Sequence, residues 1–524
     1  MTLTRSGLLF ALVLAAAAVA FASPFRQPNC NTSSHYALVQ SLADGSATID
    51  RIHGESCDVS WSGGHYFANK APGLALVTVP WYALVRGLGL IHADKAAGQP
   101  YPVAMRAIPR RDLWLMTLWG AVLPALGLLV LVRQAAERIE PGSGTAVAAT
   151  LGFGSILLPF ASLFFSHALA AFLAFAAFML VMDGSGRGSR RVFAAGVLAG
   201  FGVVVEYPLA LFALALGAFV ASRRPHGRNA LSFFSGALVG VAPLLLFDLW
   251  AFGSPIHLSY VGAVLIPGIT GHDVLGANSV GFYGVTWPSF SGALQITVGV
   301  RGLLSLGPVL VLAPLGIVLL WRRGLRREAA FIGAVCLLFL VYNSGYYSPL
   351  GGATPGPRFL VCVLGFAALA LAPVVRRIPL SFLVLFASSA VVLLIAHITQ
   401  PLISSPYNTG DWWEWIRGAG YSSTIFAPTS HTWMAALPLT LAALVALGAV
   451  VASVLPGSKT DALPAGAALL VWLVGLAMLP QPERFRSGAL AAAAALLGLA
   501  AWFVSGQRRR VAHGRAGRAG AANP

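Results

Sequence analysis

The sequence predicts an all-α polytopic membrane protein, and three observations carry that prediction. Of 524 residues, 57% are hydrophobic and only 10% charged, with a mean hydropathy of +0.78. A soluble chain carries about 25% charged residues, which this one lacks the means to match across several domain surfaces. Apolar runs long enough to cross a bilayer recur from end to end. The net charge of +17 therefore speaks to loop orientation, not to nucleic acid. Four cysteines without a CxxC pair give no metal or redox motif.

The elements follow in order. Residues 7–22 form a first membrane helix with Arg5 on its cytoplasmic side, and Ala20-Phe21-Ala22 also resembles a signal-peptidase site. Further runs lie at 113–132, 145–160, 163–182, 191–205, 207–222, 230–250, 303–321, 329–343, 358–375, 379–398, 433–454, 463–480 and 487–504. These predict about fourteen crossings, with both termini cytoplasmic. The run 72–91 is the exception, and charge parity decides it. If it lies at the outer interface, the inward loops and tail beyond residue 132 hold twenty Lys and Arg against five outside (Arg301, Arg358, Arg417, Arg484, Arg486). Cytoplasmic loops are enriched in just this way. Trp81 and Tyr82 then suit the headgroup zone.

The organisation that results has a first helix (1–23) and an extracytoplasmic loop with interfacial helices (24–112). A transmembrane core (113–398) follows, with outer loops 251–302 and 344–357. A C-terminal bundle (399–504) with outer loop 399–432 ends in a basic cytoplasmic tail (505–524). Twelve of the 17 acids fall outside or at the outer edge, and the long loops lie there too. Long loops in a compact chain are usually functional. Chemistry is expected outside.

The first outer loop is the richest. Helical spacing at Ala37 to Leu42, a turn at Asp44-Gly45 and another at Gly63-Gly64 make Gly54 to Lys70 a compact unit, ending where Pro72 lets a helix begin. Cys30 and Cys57 share an oxidising compartment there, where a disulfide between them would staple the loop. An outward site has no access to cytoplasmic nucleotide sugars, so a group-transfer enzyme needs a donor delivered within the membrane, such as a polyprenyl-phosphate sugar. Transfer to a hydroxyl needs a carboxylate to take its proton and cations to stabilise charge on the phosphate leaving group. Asp50 and Asp58 are the candidate catalytic bases; Lys70 and Arg358 are the candidate phosphate partners.

At these residues the chain resembles a known family. Tyr66-Phe67-Ala68-Asn69-Lys70-Ala71-Pro72-Gly73 is similar to the YxxKxPG/KPP element of the GT-C superfamily of membrane glycosyltransferases, in its aminoarabinose-transferase and protein O-mannosyltransferase branches. Gly351-Gly352 through Gly356-Pro357-Arg358-Phe359-Leu360 resembles the GG…GPR(F/Y)L segment of bacterial members. The resemblance implies a lipid-phosphate contact for Lys70 and a base just after the first helix. This sequence has Asn31, Thr32, Ser33 and Ser34 there instead, which moves the base to Asp50 or Asp58. Some relatives use a divalent metal, but no ligand-spaced cluster is present here.

Each residue also has a plainer reading. Asp50 can pair with Arg51, and Lys70 can snorkel at the interface. His65, beside the motif, and Tyr66, its first residue, are further candidate site residues; the plainer reading of His65 is a structural hydrogen bond. Glu206 follows Val203-Val204-Val205 at the outer junction of two helices, where a carboxylate is costly and often functional; an arginine would be its structural partner. Asp248 has a similar setting.

Together these readings predict an inverting glycosyltransferase of a bacterial plasma membrane. It would use a polyprenyl-phosphate-linked sugar and a cell-envelope acceptor, and no nucleic acid. A transporter of a polyprenyl-linked glycan, or a non-catalytic envelope-assembly protein, is the alternative. A transporter would call for charges near the midplane and repeated halves, and no internal repeat is seen.

Overall fold

The computed structural model describes residues 4–91, 98–182, 189–264, 280–402, 420–429, 432–455 and 461–478, with residues 493 and 497. The expected run 487–504 and the tail 505–524 lie outside the described residues almost entirely, as do parts of the outer loops 251–302 and 399–432.

The first helix, α1 (Arg5–Ala22), is capped by Thr4, whose hydroxyl accepts from the Gly7 N–H. After a short extended stretch, α2 (Cys30–Ala43) opens on a reciprocal cap between Asn29 and Thr32. This helix is polar for a buried one: Thr32 through Ser41 are all buried, so its side chains must find partners within the protein. A 3₁₀ turn (Asp50–Glu55) leads into an antiparallel hairpin, β1 (Val59–Ser62) and β2 (His65–Ala68), with Val59 opposite Ala68 and Ser62 opposite His65. Gly63 and Gly64 make the two-residue turn with φ of 57° and 88°, which a right-twisted hairpin favours.

Pro72 then starts α3 (Gly73–Gly87). Its 15 residues fall short of the roughly 20 that a crossing needs, and it is not among the helices long and apolar enough to cross. Trp81 stacks on Trp119 with centroids 5.3 Å apart. Tyr82, expected at the headgroups, is instead fully buried against Tyr36. Gly73 abuts the end of the helix that leads to Glu206: a Cβ here would lie 2.6 Å from the Val204 carbonyl.

Beyond a short helix, α4 (Val103–Ala107), α5 (Arg110–Thr117) runs through a π turn into α6 (Leu123–Ile139). Then come α7 (Gly144–Phe153), α8 (Leu157–Phe160), α9 (His167–Val181), α10 (Ser189–Val205), α11 (Leu209–Ala221) and α12 (His226–Phe252). The second half holds α13 (Phe290–Thr297), α14 (Leu303–Leu306), α15 (Ala313–Arg322), α16 (Arg326–Ser344), α17 (Leu364–Ala370), α18 (Ala372–Arg377) and α19 (Pro379–Ile398). The described helices end with α20 (Trp433–Val454) and α21 (Ala462–Met478).

Seven of the described helices, or runs of them, are long and apolar enough to span a bilayer, and five shorter apolar helices accompany them. This is a multi-pass membrane protein. The expectation of fourteen crossings resolves only to this coarser statement, because several runs are broken. The run 145–160 splits into α7 and α8, and 303–321 into α14, a 3₁₀ segment and α15.

Helices α10 and α12 pack unusually tightly. A Cβ at Gly196 or Gly200 would collide with the carbonyls of Phe233 and Ala237, and one at Gly236 or Gly240 with those of Phe193 and Val197. Two reciprocal small-xxx-small rows thus bring the backbones into contact, as membrane helices do where no solvent drives association. The protein core is centred on stacked phenylalanines, among them Phe178 and Phe331 at 5.1 Å.

Candidate functional site

The hairpin creates the site. Because Val59 pairs with Ala68, the residues just outside that pair face each other, and the Asn69 N–H donates to the Asp58 carbonyl. One residue further on, the Lys70 ammonium reaches the Asp58 carboxylate at 2.8 Å. Three further bonds hold Asp58 in place. Its carbonyl accepts from Ser34 Oγ at 2.6 Å, its N–H donates to Ser56 Oγ, and Ser56 in turn donates to the Cys30 carbonyl. Next door, Cys57 is joined to Cys30 in a disulfide with Cα atoms 5.0 Å apart. The first residue of α2 and the hairpin are thus covalently tied.

Asp58 and Lys70 line a cleft of about 440 Å³ together with Arg358, Tyr346, Tyr347 and the 351–354 loop. Buried Arg301 holds that loop by donating to the carbonyls of Gly352 and Thr354. At Gly351, with φ of 79°, the backbone passes so close to Arg358 that a Cβ would sit 2.5 Å from its Nε. Arg358 lies over the Phe359 ring, and its buried Nε makes no hydrogen bond. Burial pushes the Lys70 amine below its ordinary pKa; Asp58 opposes that shift and Arg358 adds to it. Among the described residues the cleft is lined by two cations and one carboxylate, a set suited to an anion with a proton to be removed beside it.

The other candidates lie elsewhere. Asp50 faces outward and is bound by His65 Nδ1 at 2.7 Å and by the Tyr66 N–H. Its neighbour Arg51 pairs with Asp44 instead. Tyr66 stacks on His53 at 4.3 Å. None of Asp50, His65 and Tyr66 lines the cleft. Lys70 does not snorkel; it is buried. Glu206 is buried with His167 Nδ1 at 2.8 Å and accepts from the Ser166 hydroxyl. Its partner is a histidine, not an arginine. Asp248 accepts from the His257 N–H at 3.3 Å, apart from the cleft.

Sequence reasoning missed His35, His167 and Arg301. His167 carried a signal, being an ionisable residue inside Phe164-Phe165-Ser166-His167-Ala168-Leu169. His35 sits within electrostatic reach of Lys70, Glu206, His167 and Asp58. Among the described residues, no group of three or more His, Cys, Asp or Glu is placed to hold a metal.

No protein-family model matches the sequence, and no curated protein does either. Solved structures do match. The aminoarabinose transferase ArnT of Cupriavidus metallidurans, bound to undecaprenyl phosphate, aligns with a TM-score of 0.52 at 13% identity, over 90% of this chain and 81% of that one. The chain shares the fold of that transferase. The apo state of the same transferase aligns at 0.47 and 14% identity over 90% and 80% of the two chains. The Archaeoglobus fulgidus oligosaccharyltransferase aligns at 0.42 and 10% identity, over 92% of this chain and 59% of its own. The shared fold agrees with the motif resemblance at Tyr66 to Gly73, the stretch that supplies Lys70 to its pair with Asp58.

Proposed function

We propose that the protein is an inverting glycosyltransferase that moves a sugar from a polyprenyl-phosphate donor to a hydroxyl of an extracytoplasmic glycan, lipid or protein acceptor in a bacterial plasma membrane. The observation that carries this reading is the meeting of Asp58, Lys70 and Arg358 in one cleft. Lys70 and Arg358 bind the donor phosphate. Asp58, held from behind by the disulfide and Ser34, is the base. The carboxylate that the end of the first helix lacks is supplied by the hairpin, and Asn31 and Asp58 border the same space.

In the reaction the acceptor oxygen attacks the anomeric carbon from the face opposite the phosphate. A new C–O bond forms, the bond from the anomeric carbon to the phosphate oxygen breaks, and Asp58 takes the hydroxyl proton. The phosphate goes from a singly charged diester to a more highly charged monoester, so the cations gain strength as the bond breaks. In the resting state Lys70 is engaged by Asp58; an arriving phosphate takes over Lys70 and frees the carboxylate. The excess of arginine on the opposite loops supports an outward-facing cleft.

The test is incubation of purified protein with radiolabelled polyprenyl-phosphate sugars and envelope acceptors, comparing wild type with Lys70→Ala and Asp58→Asn. Transfer that disappears in both variants is expected. Transfer unchanged by either would refute the assignment, and lipid translocation without transfer would make the protein a transporter.

A further inference from the structure

A second pocket of about 260 Å³ adjoins the cleft, with Gln27 and Gln400 bordering both. It is built where four separate segments converge. Strand-like residues 422–425 lie along the end of α1, with the Phe25 N–H donating to Ser423 O and the Ile425 N–H to Ser23 O. The start of α5 and the end of α19 complete it. Two arginines from different segments, Arg26 and Arg110, line this pocket.

The bonding of the two arginines sets this pocket apart. Arg26 is buried and, among the described residues, donates to neutral acceptors: Ser162 Oγ at 3.1 Å, Ser422 Oγ at 2.9 Å, Thr399 O, and His397 O and Nδ1 at 3.0 Å each. His397 Nε2 donates to Ala20 O at 2.9 Å, so its Nδ1 is the acceptor and the ring is neutral. Arg110 donates to Ser423 Oγ at 3.2 Å. Neither guanidinium pairs with a carboxylate among the described residues. A buried cation held by neutral groups keeps its full charge in a poorly screened site. An anion entering the pocket relieves that cost.

We infer that this pocket is an anion subsite for the acceptor, receiving a phosphate group while the acceptor's hydroxyl reaches Asp58. The assignment to the acceptor rests on the proposed transferase reading: Lys70 and Arg358 serve the donor phosphate, and the second pocket opens beside that cleft across Gln27 and Gln400. A bulk anionic lipid would offer the same chemistry through its headgroup, and the experiment separates the two sources.

Full-length protein in phosphatidylcholine nanodiscs, saturated with polyprenyl phosphate to occupy the donor site, is titrated with inorganic phosphate. It is then titrated with a monophosphorylated disaccharide lipid and its dephosphorylated twin. Wild type is expected to bind phosphate and to prefer the phosphorylated lipid by about tenfold or more, as charge-assisted hydrogen bonds allow. Arg110→Gln and Arg110→Glu lose that preference, and Arg110→Lys keeps most of it. Circular dichroism and melting temperature show that the Arg110 variants are folded; Arg26, which ties the fold together, is left intact. Equal binding of the twins by wild type, or a preference that survives Arg110→Glu, overturns the inference. Loss of the preference when phosphatidylglycerol is added to the discs assigns the pocket to headgroups and overturns the acceptor role. If the Arg110 dependence holds but Asp58→Asn transfers sugar normally, the transferase reading fails while the anion pocket stands.

Discussion

The Asp58 carboxylate and the Lys70 ammonium stand 2.8 Å apart at the open end of the β1–β2 hairpin, both shielded from solvent. Twelve positions apart in sequence, an acid and a base are folded back to meet in the lining of one cleft. This pairing limits each partner: as long as it lasts, neither group is available to a ligand.

That mutual dependence predicts non-additive substitutions. Asp58→Asn or Lys70→Met alone leaves a buried charge without its partner, costing on the order of 3 kcal/mol. The double variant loses less than the sum of the two, as a double-mutant cycle from thermal unfolding in detergent will show. Transfer activity is expected to fall about 10²-fold or more in Asp58→Asn. Additive stability losses would mean that the pair is not coupled.

Asp50→Ala separates the two candidate bases. Its carboxylate serves His65 and the Tyr66 N–H on the outside of the hairpin. The expected result is a local destabilisation of about 1 kcal/mol with transfer within a few-fold of wild type. A loss as deep as that of Asp58→Asn would move the base to Asp50.

Asp44 predicts a pH dependence. Its carboxyl is held below the ordinary carboxylate range by the hydrogen bond from Arg86, with Arg51 adding to it, each at 2.7 Å. Being depressed in the folded state, this group stabilises the protein above its unfolded pKa of about 3.9 and loses that contribution as pH falls through the lower folded value. The three side chains are partly exposed, so the effect is small and screened by salt. Melting curves from pH 6 to 3, with Asp44→Asn as control, should show a component absent from the variant and reduced at high salt.

Gly351→Ala tests Arg358. The substitution puts a side chain at a positive φ and against the Arg358 Nε, at a cost of about 1 kcal/mol or more in backbone strain. The expected outcome is a several-fold weaker affinity for polyprenyl phosphate in equilibrium binding, with helix content unchanged. Unaltered affinity would show that Arg358 does not hold the phosphate.

Much of the site was legible in the sequence because its signals are local. Gly63-Gly64 marked the turn, Pro72 marked the helix start, and Lys70 and Arg358 stood within short motifs. The choice between Asp50 and Asp58 was not legible, since it depends on the 3₁₀ turn that faces Asp50 outward and on hairpin register. Likewise the partner of Glu206 lies at His167, on another helix, and no spacing rule links the two. The number of crossings stays at the coarser multi-pass statement for a related reason: hydropathy counts apolar residues but does not register the breaks inside α7–α8 or α14–α15.

The glycine rows of α10 and α12 carry a consequence for tolerance to variation. Alanine is the mildest replacement in most helices, yet at Gly196, Gly200, Gly236 or Gly240 one methyl group would wedge two backbones apart. Helix α10 ends beside Glu206 and abuts Gly73, three residues after Lys70, so such a wedge would be felt at the cleft. In a mutational scan these four positions would score like catalytic residues, though none of them lines the cleft.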